Sequence, residues 1–357
     1  MIRSLLLTLA AFAMPFFLFA QTGREPGSHL AKPTAKGVGK IDTRIDNMRY
    51  WRRMADSGFV YLTPAQNVPP AKFTGSTIKS YMVLDENSPD VPTTTVNSTQ
   101  SEVSVFVDPV NSQFIINSNN STQNPVGSLY GADYLISSNG GTTWGGSVSG
   151  AGGSNSGDPA AAIGLSGRMY VGFIDNNSGQ SVSYSDDDGV TWTQVVAATP
   201  NGDLLDKNHM WIDNSTSSPY EGNIYVSYTD FGASGYPVEI TRSTNDGVSY
   251  STPLAISAGV SAGSHCQGVN IGTGPNGEVY VIWAIYDSWP SDESSIGLAK
   301  STNGGASFGT ATRIISNIRG IRTTETSKNQ RVNSFPSMAV DISGGPNNGN
   351  IYVVGLS

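Results

Sequence analysis

The chain has 357 residues, with 20 basic and 28 acidic side chains, a formal charge of −8, and only 13% of its residues charged. Cys266 is the one cysteine, so no intrachain disulfide can form and stability must come from packing and strand pairing. The charge is divided along the chain: residues 22–80 hold ten Lys or Arg against four Asp or Glu, and residues 81–357 hold nine against twenty-four. So acidic a body excludes a nucleic-acid binder, which needs a basic face for phosphates, and excludes docking on anionic lipid through that body.

In chain order, Arg3 precedes an apolar run from Leu5 to Ala20 that ends in Phe19-Ala20-Gln21. A basic start, an apolar core and a small residue at the cut read as a signal peptide over 1–20, which predicts a secreted or cell-surface protein. A membrane span needs about twenty apolar residues, and Pro15 interrupts a run that is already short. No cysteine follows the cut, which argues against a lipid anchor.

Residues 21–100 form a leader. The stretch 22–40 is rich in Gly, Pro, Lys and Thr. Ile45, Met48, Trp51 and Met54 then recur every three residues among Arg44, Arg49, Arg52 and Arg53, predicting a short amphipathic helix within 42–55. That helix either caps the acidic body or docks a partner. Residues 63–100, with several Pro and Thr, read as an extended arm.

From residue 101 onward the chain repeats. Ser137-Ser-Asn-Gly-Gly-Thr-Thr-Trp144, Ser185-Asp-Asp-Asp-Gly-Val-Thr-Trp192, Ser243-Thr-Asn-Asp-Gly-Val-Ser-Tyr250 and Ser301-Thr-Asn-Gly-Gly-Ala-Ser-Phe308 lie 48 to 58 residues apart. In each, the side chain of Asn139, Asp187, Asn245 or Asn303 can accept backbone N–H groups within the turn. Gly141, Gly189, Gly247 and Gly305 supply the positive φ of a tight hairpin. Trp144, Trp192, Tyr250 and Phe308 begin the next strand and pack beneath the turn.

Around each turn lie four short strands. Small apolar segments open the repeats: Val103–Asp108, Pro159–Gly164, Asn208–Asp213, Cys266–Ile271 and Pro336–Asp341. They suit innermost strands crowded about an axis. Second strands follow at 168–173, 223–228, 278–283 and 350–354. Four-stranded units repeated at this period predict an all-β fold, a β-propeller of four-stranded blades over residues 101–357. A sandwich would not explain one fixed turn recurring about every fifty residues. Four repeats are complete and a fifth stops after its second strand, so the expectation is a piece of a propeller of six or more blades, because an open blade leaves unpaired edges.

The turn motif, Ser-x-(Asp/Asn)-x-Gly-x-(Ser/Thr)-aromatic, resembles the Asp-box, or bacterial neuraminidase repeat, of the sialidase-like propellers, and the likeness covers residues 101–357. It implies boxes at third-to-fourth strand turns, on the face opposite the usual binding site. It does not imply sialidase activity, because non-catalytic propellers carry the box too. A sialidase of this family has Arg-Ile-Pro ahead of the first box, supplying one of three arginines that grip the substrate carboxylate, together with a Tyr nucleophile paired with Glu and an Asp acid/base. Here the nearest string is Arg44-Ile45-Asp46, and no arginine occurs between residues 80 and 167.

In a propeller the innermost strands start on the face that holds the central pocket. That rule places Glu102, Asp158, Asp206, Lys207, His265 and Arg331–Asn333 around the funnel. The loops joining second to third strands share that face and contain Asp175–Asn177, Asp230-Phe231 and Tyr286–Trp289. The predicted substrate-binding residues are therefore Glu102, Lys207, His265, Asp230, Trp289 and Arg331, with Asp158 and Asp206 as candidate acid/base groups. Such a set suits a glycan or cell-surface polysaccharide.

No cofactor or metal is expected. Asp186-Asp-Asp188-Gly189 lacks the twelfth-position Glu of a calcium loop, and His29, His209 and His265 are too scattered for zinc. Cys266 shares the slot of Pro159 and Pro336, which predicts a buried structural thiol. Two functions stay open: a secreted propeller that binds a glycan or surface partner without sialidase activity, and a glycoside hydrolase or lyase using the funnel carboxylates. A structural or adhesion repeat is the third alternative.

Overall fold

The structure is a computed structural model that describes residues 53, 54, 56, 57, 72, 73, 90–124, 129–153, 155–260, 265–287, 293–318 and 333–355. The signal peptide, Trp289 and Arg331 lie outside the described residues, as does the predicted helix except for Arg53 and Met54. Those two residues and Asp56 are helical, and Ser57 donates its amide to the Arg53 carbonyl at 3.0 Å.

The rest is β-structure. A short strand β1 (Lys72–Phe73) precedes the blades. Blade I comprises β2 (Ser98–Val107), β3 (Ile115–Gln123), a third strand interrupted at Asp133 into β4 (Leu129–Ala132) and β5 (Tyr134–Ser137), and β6 (Gly145–Ser147). Blade II runs β7 (Ala160–Ile163), β8 (Met169–Ile174), β9 (Gln180–Ser185), β10 (Thr193–Ala198). Blade III runs β11 (Leu205–Ile212), β12 (Ile224–Asp230), β13 (Val238–Ser243), β14 (Leu254–Ala255). Blade IV runs β15 (His265–Thr273), β16 (Val279–Tyr286), β17 (Ser295–Ser301), β18 (Thr312–Ser316). Blade V contributes β19 (Ser337–Val340) and β20 (Ile351–Val354). Each sheet is an antiparallel meander in chain order, and successive blades touch through their inner strands, so the fold is a β-propeller.

The leader departs from expectation in one respect. Its arm does not simply lead into blade I: β1 pairs with β18 and adds a fifth strand to the outer edge of blade IV, Lys72 opposite Ser316. Pairing there covers a sheet edge that would otherwise present free N–H and C=O groups.

Strand chemistry follows position. Every residue of β8, β12 and β16 is buried, because a second strand is covered by neighbouring blades on both faces. Hence Met169-Tyr-Val-Gly-Phe-Ile174 and Val279-Tyr-Val-Ile-Trp-Ala-Ile-Tyr286 read as unbroken apolar runs rather than alternating ones. The core is a chain of clusters between blades, including Tyr170, Val182, Met210 and Val226 between II and III, and Tyr225, Ile271, Val281 and Trp283 between III and IV. On β2 the alternate residues Val103, Val105 and Val107 are exposed.

The four boxes are superimposable in their bonding. Ser137 Oγ accepts the Gly141 amide at 2.8 Å, and Asn139 Oδ1 accepts the Thr143 amide at 2.9 Å. The same pair of bonds recurs at Ser185/Gly189 with Asp187/Thr191, at Ser243/Gly247 with Asn245/Ser249, and at Ser301/Gly305 with Asn303/Ser307. Trp144 and Trp192 close their turns by donating Nε1–H to the Gly141 and Gly189 carbonyls.

Boxes three and four also seat on the preceding blade. Arg168 of blade II donates to the Asp246 carbonyl of box three at 2.9 Å, and Arg242 of blade III donates to the matching Gly304 carbonyl of box four at 2.6 Å. A Cβ on Gly247 would lie 3.1 Å from the Tyr170 ring, and one on Gly305 would lie 2.7 Å from Tyr225. The turn therefore serves as a latch between neighbouring sheets.

Candidate functional site

Homologous positions can be set by the bond that closes each inner hairpin. The amides of Asp108, Gly164, Asp213, Gly274 and Asp341 all donate to the start of their own second strand. Six residues before these come Glu102, Asp158, Lys207, Gly268 and Phe335. The first four share a left-handed backbone, with φ of 54°, 57°, 52° and 75°. The ladders of β2, β11 and β15 shift register at this point, between Ser101 and Ser104, Asp206 and His209, and Gln267 and Asn270. A bulge thus turns one residue per blade out of the ladder. Three non-glycine residues hold positive φ in corresponding places, a strained backbone of the kind that clusters at binding sites.

This register corrects one expectation. Cys266 does not share the slot of Pro159 and Pro336; Val269 does, because the inner hairpin of blade IV closes at Gly274, three residues beyond the Ile271 at which the pattern ended. Cys266 is fully buried in the cluster of Trp283 and Ile285, and burial pushes its thiol up to about 12. It remains a structural thiol, by a different placement.

The bulged residues surround a cavity of ≈ 260 Å³ on the propeller axis, lined by Glu102, Asp158, Lys207, Asn208, Gly268, Asn333, Phe335 and their neighbours. All five blades contribute. Gly268 is where the fourth blade lacks a charged residue, since a Cβ there would overlap the Phe335 ring, which fills that quadrant.

Lys207 reaches across the axis from blade III. Its Nζ lies 2.9 Å from Glu102 Oε1 on blade I and 3.3 Å from Asp158 Oδ2 on blade II. The latter contact is within ion-pair range but off line, and Asp158 Oδ2 carries no hydrogen bond. Asn120 ties the same carboxylates from beneath: Nδ2 donates to Glu102 Oε2 at 3.0 Å and to Asp158 Oδ1 at 3.3 Å, while Oδ1 accepts the Asp158 amide at 2.6 Å. Asp206 stands behind the cavity and accepts from Gln267 Nε2 at 3.1 Å.

The titration behaviour follows from three carboxylates sharing one ammonium. Burial and then Asp158 raise Glu102 above the ordinary carboxylate range, against the pull of Lys207. Burial also acts to raise Asp158, but Lys207 and hydrogen bonds from Glu102 and Asn120 outweigh it, so this group lies low. Burial, reinforced by Asp158, pushes Asp206 up to about 7. Burial alone would depress Lys207; Asp158, Glu102 and Asp206 hold it high instead. Carboxyl groups pushed apart in this way differ in their readiness to hold a proton.

Glu102, Asp158 and Lys207 are thus brought together as expected, with Asp206 just behind them. Asp230 and His265 are not part of the cavity. Asp230 caps its own loop by accepting the Gly232 and Ala233 amides at 2.7 and 3.1 Å. His265 is buried among Phe231, Tyr236 and Tyr286, with ring centroids 5.3 to 5.7 Å away. The reasons differ: the bulge sets the funnel residue three positions after His265, and the loop at 230 turns back on itself.

Asn120, Asn208, Gly268 and Phe335 were not anticipated. Asn120 sits in a polar second strand whose pairing had no sequence signal, and the other three emerge only once the bulge register is known. Both amide atoms of Asn208 are buried without a hydrogen-bond partner. Among the described residues no group of three or more His, Cys, Asp or Glu could hold a metal ion, and no helix is long and apolar enough to cross a membrane.

Neither a protein-family model nor a curated protein sequence matches the chain. Several solved structures are similar at low identity. An α-L-arabinanase of Penicillium chrysogenum, complexed with arabinobiose, aligns at 12% identity over 74% of this chain and 77% of its own, with a TM-score of 0.45. The GH93 α-L-arabinofuranosidase of Fusarium graminearum aligns at 13% over 72% and 76%, TM-score 0.45. A putative exo-β-1,3-galactanase from Bifidobacterium bifidum aligns at 12% over 71% and 81%, TM-score 0.45. The architecture rests on the sheet topology itself.

Proposed function

We propose that this is an exported propeller of the Asp-box type whose axial funnel binds a glycan without sialidase activity. One observation carries the reading: a ring-sized cavity where five blades meet, lined by Glu102, Asp158, Lys207 and Asn208, with a phenyl ring at one side. Paired carboxylates, an ammonium and an amide offer dense hydrogen-bonding capacity for sugar hydroxyls, and Phe335 offers an apolar face for a ring. Export follows from the apolar run 5–20.

A sialoside-cleaving site is disfavoured because, among the described residues, no arginine lines the cavity. Arg168 and Arg242 are engaged at the boxes, and Arg313 pairs with Asp287. The test is calorimetric titration of the full chain with neutral, basic and acidic oligosaccharides, run beside a fluorogenic sialoside assay. Binding of an oligosaccharide that weakens at least fivefold in Asp158→Asn is expected, with no fluorophore released. Release would overturn the reading.

A second reading, glycoside hydrolysis, is favoured by the split titration of Glu102 and Asp158. Glu102 would donate a proton to the leaving oxygen and Asp158 would act as the ionised partner. A panel of aryl glycosides tests it: turnover abolished by Glu102→Gln would establish the hydrolase, and no turnover on any of them would dismiss it.

A further inference from the structure

The funnel has an imbalance of charge that a ligand of particular chemistry would correct. Glu102 and Asp158 both converge on the ammonium of Lys207, with Asp206 behind them. Among the described residues, no arginine and no second lysine lines the cavity. The side chain of Glu102 is 44% exposed, so one of these carboxylates is open to an incoming group. An independent observation points the same way. Asp158 Oδ2 is buried with only the ion-pair contact to Lys207 at 3.3 Å, and Asn208 has both its Oδ1 and its Nδ2 buried without a hydrogen bond; both residues line the cavity. Buried acceptors without donors cost stability, and a ligand that supplies donors gains what they lack.

We propose that the funnel selects a sugar bearing a free ammonium group, a deacetylated amino sugar, over N-acetylated or acidic sugars. This inference rests on the glycan-binding reading and names its ligand class. An ammonium carries three donors and no acceptor, which matches a site rich in acceptors and short of cations. An N-acetyl group at the same carbon brings a carbonyl acceptor, a bulky methyl and no charge. A uronate would set a further carboxylate against Glu102 and Asp158. A cavity of ≈ 260 Å³ lies below the roughly 300–1,000 Å³ of sites for larger ligands, so it takes one ring, with Phe335 against its C–H face. The acidic body, nine basic against twenty-four acidic residues over 81–357, draws cations toward that opening.

The test is calorimetric titration of the full chain at near-physiological salt with tetramers of glucosamine, of N-acetylglucosamine and of galacturonate. The glucosamine tetramer should bind at least tenfold more tightly than either other probe. Glu102→Gln and Asp158→Asn should each cut that preference to below threefold. Glu221→Gln removes an exposed carboxylate at the opposite end of blade III and should leave the preference intact. Equal affinity for the glucosamine and N-acetylglucosamine tetramers overturns the inference while leaving glycan binding standing. An equal loss in Glu221→Gln also overturns it, since attraction would then be diffuse. Binding of none of the three, with no binding of neutral oligosaccharides either, removes both readings together. The comparison among probes uses the unaltered protein, so a variant that misfolds does not spoil it.

Discussion

His209 Nδ1 accepts the backbone amide of Ile271 at 3.2 Å, one blade further round the propeller. Asn270 Oδ1 accepts the Met338 amide at 3.2 Å from the corresponding position, and Ser104 Oγ accepts the Ala161 amide at 2.9 Å. One side chain per inner strand thus hooks the next inner strand, three times along the array. Blade II lacks the hook, because Ala160 occupies its place. The histidine is therefore a connector that must be uncharged, and burial accordingly lowers its pKa to about 4.

If His209 acts as an acceptor, His209→Asn, which copies Asn270, should cost little, and His209→Leu should cost more. Leaving the Ile271 amide without a partner costs about 1–3 kcal/mol. Urea denaturation of the two variants checks this. Equal losses in both would show that ring packing on Trp211, not the bond, accounts for the residue.

Asp206 and His209 give opposite pH dependences. Between the ordinary 3.8 and its folded value of about 7, native Asp206 keeps a proton that the unfolded chain has released, so stability falls as pH rises through that window. His209 runs the other way: its contribution is present above about 6.5 and is lost as pH falls towards 4. Asp206→Asn removes the first effect alone and keeps an acceptor for Gln267. Its melting temperature relative to the parent should be higher at pH 8 than at pH 5. A difference that does not change with pH would mean that Asp206 is not held protonated.

The box glycines test the latch. Gly305→Ala meets two obstacles: a φ of +73° and the Tyr225 ring 2.7 Å from the new Cβ. Gly235→Ala meets only the first, φ +83° in open space. A left-handed backbone costs an L-residue about 1–2 kcal/mol, and overpacking adds about 1–3 kcal/mol. Thermal unfolding should place Gly305→Ala clearly below Gly235→Ala. Equal losses would mean that box four does not bear on blade III.

These contrasts explain what could be read from the chain. The boxes were legible because a tight turn needs particular residues at fixed spacing, whatever surrounds it. The second strands were legible because burial on both faces leaves an unbroken apolar run. Glu102, Asp158 and Lys207 were legible as residues next to inner strands. Gly268, Phe335 and Asn208 were not, because a bulge changes the count between a strand's start and its funnel residue, and no residue pattern announces it. The addition of Lys72–Phe73 to blade IV was hidden for a related reason: two residues pairing across more than two hundred carry no local signal.

Lys207 ties the axis together, and removing its charge should expose that role. Lys207→Met keeps the apolar stem but leaves Glu102 and Asp158 facing each other without a cation. Breaking a buried pair costs about 3–5 kcal/mol, and with 21% of the lysine side chain exposed, solvent screening reduces this to about 2 kcal/mol. The loss should be largest near pH 7.5 and smaller near pH 4.5, where carboxylate protonation relieves the repulsion. Adding Asp158→Asn to Lys207→Met should restore more than half of the lost stability at pH 7.5, because one of the stranded charges is gone. Glu102→Gln on the same background offers an independent second variant. Chemical denaturation of the parent, the single variant and the two double variants measures the coupling. If neither double variant recovers stability, the loss does not come from the charges of the carboxylates that Lys207 touches.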